Sequence, residues 1–189
     1  MKKHDTEEKI SVAFKELLTK NPIEKISVKE LCETAGIIRP TFYNHFKDKY
    51  EVLEYIIRNE LLVPIKPLLY NDMIQEGVAL LFYNINKDRR FYEQAMKIEG
   101  QNSFESIARE EVKKLLVDVI DEKYPDRNNR YNWITRDLLA EYYANSMCYV
   151  AIACITRNIN ISPRDLAEVY EYLSKHSMFE VIEDFSTKA

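Results

Sequence analysis

The chain has 189 residues, 46% of them apolar and 31% charged, which suits a folded protein with a sizeable core and excludes a low-hydrophobicity disordered chain. Only 3 Gly and 6 Pro leave little turn material for a many-stranded sheet, so composition favours long helices. The formal charge of −4 is unevenly spread: residues 1–49 carry ten basic against eight acidic side chains, and residues 50–189 carry seventeen against twenty-three, so a mildly basic head precedes an acidic body.

The charged start, Met1 to Lys9, leads straight into an amphipathic segment and does not read as a signal peptide. No stretch reaches the roughly 18–20 uninterrupted apolar residues of a membrane-spanning helix, so the expectation is a cytoplasmic protein with no membrane partner. Cys32, Cys148 and Cys154 are odd in number and lack zinc-ligand spacing, as expected of small apolar residues in a reducing compartment.

In chain order, Ile10, Ala13, Phe14, Leu17 and Leu18 form one apolar stripe of a helix over 6–20, ended by Asn21-Pro22. Ser27-Val28-Lys29-Glu30 has the form of a capping box and starts a short helix that Gly36 stops by turning the chain sharply. Pro40 suits the first turn of another short helix, Arg39 to Phe46. Asp48-Lys49-Tyr50-Glu51 offers a second cap for a linking helix, 49–63, stopped near Pro64. Two very short helices with a glycine between them are the helix-turn-helix pattern.

Beyond Pro64 the spacing predicts helices over 72–85, 89–98, 103–122, 132–157 and 163–175. The intervening breaks fall at 86–88, 100–102, 125–129 and 158–160. The predicted fold is all-α with about nine helices: a three-helix head over 1–49 and a helical body over 64–189.

The run from Ile26 to Leu31, then Ala35-Gly36-Ile37 and Arg39-Pro40-Thr41-Phe42-Tyr43-Asn44-His45-Phe46-Lys47-Asp48-Lys49, resembles the head of the tetracycline-repressor (TetR) family. Ile38 departs from the pattern, standing where the family often has a capping Ser or Thr. In the body, Arg90-Phe91-Tyr92 and the run from Glu99 to Phe104 are similar to a subgroup that includes the activator of dihydroxyacetone-kinase operons.

The resemblance implies a transcription regulator that binds double-stranded DNA as a homodimer. A major groove about 12 Å wide admits one helix, here Arg39 to Phe46. Phe42 and Phe46, four apart, should face inward. By resemblance, Thr41 and Tyr43 match base or phosphate contacts, and His45 and Lys49 match phosphate contacts. Arg39 suits a guanine edge or a phosphate, Lys29 suits the backbone, and Asn44 should point outward. Each has a plainer reading: Tyr43 as packing, His45 as structural, Lys29 and Lys49 as solvated charges.

In the body, the predicted helix over 132–157 is apolar almost all round, as expected of a helix that is fully buried or shared with a partner. Tyr143, Met147, Val150 and Cys154 on it, with Leu166, Tyr170 and Leu173 on the last predicted helix, are the candidate dimer interface, with burial inside one subunit as the alternative. Phe91, Tyr92, Glu99, Gln101, Asn102, Tyr142 and Tyr143 are candidates for an effector pocket, although aromatics at helical spacing also serve as plain core. The regulatory input is an unknown small-molecule effector or a protein co-regulator. A co-activator of a dihydroxyacetone-kinase-like operon working with a protein partner is one alternative, and a helical interaction module without DNA binding is another. No glycine-rich phosphate loop, nucleophile elbow or metal cluster appears, so neither catalysis, a cofactor nor a metal is expected.

Overall fold

The computed structural model describes residues 3–125, 133–157 and 159–186, and these form eleven α-helices joined by short turns. The predicted breaks at Asp126 to Asn129 and at Asn158, and the predicted helix start at Asn132, lie outside the described residues.

The head is α1 (Lys3–Leu18), a 3-10 turn (Ile23–Lys25), α2 (Val28–Ala35) and α3 (Arg39–Tyr43). Its boundaries are set by the expected caps. The Ser27 hydroxyl accepts from the Glu30 amide at 3.1 Å. Gly36 sits at φ 66°, a left-handed conformation in which its amide closes the end of α2. At the next cap Asp48 Oδ1 accepts from the amides of Tyr50 and Glu51, while the Glu51 carboxylate accepts from the Lys47 amide. Ile10, Phe14 and Leu18 of α1 are buried in one core with Leu31, Phe42 and Phe46, with α1 packed on α2 and α2 in turn on α3.

The linking helix is in two parts. α4 (Lys49–Ile56) runs on into a π-helical stretch, Ile57–Leu62, whose wider turn is marked by the Val63 amide bonding to Arg58 O at 2.8 Å. The body follows as α5 (Lys66–Tyr70), α6 (Ile74–Lys87), α7 (Arg89–Ala95), α8 (Phe104–Lys123), α9 (Arg136–Thr156), α10 (Pro163–Lys175) and α11 (Met178–Ser186). α8 packs along α9 and α10 along α6, with α4 and its π extension against α1 on one side and α8 on the other. By length and composition α9 would also pass for a membrane-crossing helix, which the count of uninterrupted apolar residues did not anticipate. Here one face of α9 packs on α8, Val150 to Ile155 are half-buried, and Leu138, Tyr142 and Tyr149 are exposed.

Head and body meet through one continuous core. Phe14 of α1 meets Phe91 of α7 edge to face, ring centroids 6.3 Å apart. Beside them Lys15 pairs with Glu60 at 2.7 Å and with Asp88, its ammonium lying 5.6 Å from the Phe91 ring centroid. Burial opposes the charge on Lys15, but its hydrogen bonds to Asp88 and Glu60 outweigh that and hold it protonated.

Tyr92, next to Phe91, is 1% exposed and its hydroxyl is buried without a hydrogen-bond partner. Its ring packs edge-on against Phe91 and Phe104, and burial pushes its ionisation far upward, so it is an uncharged and unsatisfied polar group. Tyr92→Phe keeps the ring contacts and removes the orphan hydroxyl. The variant should therefore be more stable by about 1–2 kcal/mol in chemical denaturation. A variant less stable than the parent would mean that the hydroxyl is satisfied after all.

Candidate nucleic-acid interface and body cavity

α3 is only five residues long, and the last three residues of the expected helix fall outside it, Asn44 and His45 in the turn that follows and Phe46 just beyond. Ile38 caps α3 without a side-chain acceptor and is itself 67% exposed, so the helix start depends on Pro40 and on burial rather than on a cap. That burial comes from Phe42 and Phe46, 0% and 3% exposed, whose rings lie 6.0 Å apart on the inner side. Tyr43 meets the edge of Phe42 at 5.4 Å and is itself half exposed. Arg39 and Asn44 are exposed and Thr41 is half-buried. Lys29 at the start of α2 is exposed, 3.8 Å from Glu33 one turn on.

Two expected phosphate contacts are placed differently. The His45 side chain is 12% exposed, with Nδ1 3.4 Å from Glu7 Oε1 of α1. Lys49 donates to the carbonyl oxygens of Ile23 at 2.6 Å and Ile26 at 2.9 Å. Both groups thus brace the head from within. The Ile26 carbonyl just past the 3-10 turn gains a donor in the Lys49 ammonium, which also joins the Ile26 amide on the Ile23 carbonyl. Spacing alone cannot reveal this, because it depends on which turn folds over the start of α4. Conversely, Lys47, exposed in the turn after α3, is a cation that the pattern did not single out.

The body contains a cavity of about 290 Å³ between the π-helical stretch and α5, α6, α8, α9 and α10. Its walls are side chains such as Leu61, Leu81, Phe104, Val112, Leu115 and Ile152. Tyr170 also faces it, but its hydroxyl donates to the Met147 carbonyl. Burial pushes the Cys148 thiol up to about 12, leaving it neutral in the wall. Charge appears only at one end, where Lys123 pairs with Asp72 beside Tyr124.

None of the residues expected to form a pocket lines this cavity. Phe91 and Tyr92 are buried at the joint with the head. Glu99, Gln101 and Asn102 are exposed around the turn at Gly100, where φ is 86°. Tyr142 and Tyr143 lie exposed on α9, away from the core. The cavity is lined chiefly by aliphatic side chains from six separate segments, which aromatic content does not signal.

The expected dimer residues divide as well. Tyr143 and Leu173 are exposed, at 39% and 44%. Leu166 and Tyr170 are buried within the subunit, Met147 reaches the cavity, and Val150 and Cys154 are half-buried against the core. The open apolar surface of α9 and α10 is carried instead by Leu138, Leu139, Tyr142, Tyr149 and Val169 together with Tyr143 and Leu173.

Residues 10–56 match the family described as bacterial regulatory proteins, tetR family, and residues 72–176 match the one described as transcriptional regulator C-terminal region. The HTH-type dhaKLM operon transcriptional activator DhaS of Lactococcus lactis subsp. lactis (strain IL1403) is 28% identical over 170 residues, covering 89% of this chain and 86% of that one. The solved dihydroxyacetone kinase operon activator DhaS superposes with a TM-score of 0.58 at 26% identity, over 89% of this chain and 93% of that chain. NalD, the secondary repressor of the MexAB-OprM multidrug efflux pump in Pseudomonas aeruginosa, shares the fold at a TM-score of 0.55 and 18% identity, over 89% of this chain and 94% of that chain.

Proposed function

Because the chain belongs to the TetR family of bacterial transcriptional regulators, we propose that it binds a pseudo-palindromic operator as a homodimer, with α3 as the reading helix and the body cavity as the seat of an effector. The observation that carries this reading is the two-sided build of α3. Phe42 and Phe46 are buried beneath it, while Arg39, Tyr43 and Asn44 are exposed. Lys29 and Lys47 add exposed cations on either side in the chain, suited to phosphates, whereas Arg39 and Asn44 have the donor geometry to read base edges.

The dimer follows from surface left open. α9 is apolar yet largely uncovered within one subunit, and with α10 it supplies the broad apolar face that a two-fold partner would bury. An effector in the cavity would touch the π-helical stretch directly, and that stretch is continuous with α4 and the head. Its affinity difference between two arrangements of the heads is what would shift operator binding.

A second reading, co-activation of a dihydroxyacetone-kinase-like operon with a protein partner, is favoured by the similarity to DhaS. Since DhaS is named an activator and NalD a repressor, the shared fold serves both signs of regulation.

Gel-shift titration of the full chain against its own upstream DNA, at several salt concentrations, tests the reading. Arg39→Ala or Tyr43→Ala should weaken binding by about 1–3 kcal/mol with thermal unfolding nearly unchanged. Affinity should also fall steeply as salt rises. Equal binding by parent and both variants would remove α3 as the reader, and absence of any salt-dependent binding would favour an interaction module instead.

A further inference from the structure

The body cavity is selective in its chemistry. Among the described residues that line it, Lys123 is the one cation and Asp72 the one anion, and both stand at the same end. The two differ in exposure: the Lys123 side chain is 17% exposed, whereas that of Asp72 is 78% exposed. The lysine stem is thus part of the wall, while its carboxylate partner reaches in from solvent. Away from that end the walls offer a neutral thiol at Cys148 and the Tyr170 hydroxyl, whose proton is already given to the Met147 carbonyl. A sugar, triose or polyol placed there would leave its hydroxyls without partners.

Resting on the reading of this cavity as the effector seat, we propose that the effector is an amphiphilic monocarboxylate. Its hydrocarbon part fills the apolar chamber, and its carboxylate takes the place of Asp72 on Lys123. Exchanging one carboxylate for another keeps the lysine paired, so the incoming anion meets a partner as it loses water. Released into solvent, the Asp72 side chain is already mostly hydrated. For size, an apolar cavity of about 150 Å³ takes benzene, so a chamber of about 290 Å³ takes a chain of roughly a dozen heavy atoms.

This ligand would lie against Leu61 and Leu62 of the π-helical stretch, where filling or emptying the chamber is felt by the segment that leads to the head. It also separates this chain's input from the substrate implied by the name of its relative, since dihydroxyacetone is a small polyhydroxylated ketone with no apolar part.

The test is calorimetric titration of the full-length chain with dodecanoate, dodecanol and dihydroxyacetone, on the parent and on Lys123→Met. Dodecanoate should bind, dihydroxyacetone should not, and Lys123→Met should weaken dodecanoate about tenfold while leaving dodecanol unchanged. Ala108→Phe, which fills the chamber from α8, should abolish both C12 ligands, with circular dichroism confirming that the variant is folded. Absence of dodecanoate binding, an equal loss of both C12 ligands on Lys123→Met, or binding of dihydroxyacetone overturns the proposal. Operator affinity measured in the same samples judges the regulatory reading separately: DNA binding without dodecanoate binding removes the ligand class alone, and dodecanoate binding without DNA binding removes the regulator alone.

Discussion

Phe42→Ala should cost about 3–5 kcal/mol, the usual range for emptying a large aromatic site in a well-packed core. Phe42 is 0% exposed and contacts both Tyr43 and Phe46. A chain of this length responds with a fall in melting temperature of roughly 6–20 °C. The functional loss should exceed what the stability loss alone produces. A helix of five residues cannot hold itself together, because nucleating one turn fixes several dihedrals for a single hydrogen bond. α3 is therefore held in place by packing, and Phe42 is its central anchor. Without the ring, Tyr43 also loses the edge contact that steadies it. Operator binding should be undetectable in Phe42→Ala at temperatures where circular dichroism still reports a folded body. Phe42→Leu, which keeps most of the volume, should recover much of both. A melting temperature within about 2 °C of the parent would show that the ring does not anchor the helix.

The head was largely legible because its determinants are local. The Ser27 and Asp48 caps, the left-handed turn at Gly36, Pro40 near the start of α3 and the inward pair Phe42 and Phe46 each act within a few residues. The inward positions of His45 and Lys49 were not legible, because their partners Glu7, Ile23 and Ile26 lie more than twenty residues away. In the body, helix periodicity located α6 to α10 to within a few residues at each end. α11 opens on a capping box, Ser177 with Glu180, whose two reciprocal hydrogen bonds form and whose S-x-x-E signal the predicted helices did not include. α5, by contrast, is short and has no side-chain cap to announce it. The π-helical stretch has no sequence signature either, since one wide turn is stabilised by what it packs on. The cavity was the least legible feature. Its walls combine single side chains from helices far apart in the chain, and only the packing of those helices defines the space they leave.

Arg58→Met should destabilise the protein by about 2–4 kcal/mol, because it removes two of the three hydrogen bonds to a carboxylate that folding has taken out of water and leaves it Lys114 alone. The Glu111 side chain is 2% exposed on α8, and Arg58 in the π-helical stretch grips it with both ends of its guanidinium, at 2.6 and 3.1 Å. Lys114 adds a third bond at 2.6 Å, and Glu54 of α4 completes the group through Arg58. The penalty belongs to the under-paired buried charge, left with Lys114 alone, rather than to the lost pair. Arg58→Met combined with Glu111→Leu should therefore recover most of the loss, and a double variant as unstable as the single one would sink this account. The same cluster sets a pH dependence. Burial alone would raise the Glu111 carboxyl, but the hydrogen bonds from Arg58 and Lys114 reverse that and hold it below its ordinary 4.5. A group depressed on folding contributes stability above its unfolded value and loses it as pH falls through the folded one. The gap in urea stability between the parent and Glu111→Gln should accordingly be full at neutral pH and shrink once pH drops below 4.5. A gap that stayed constant into that acid range would show that the Glu111 charge is not what ties the π-helical stretch to α8.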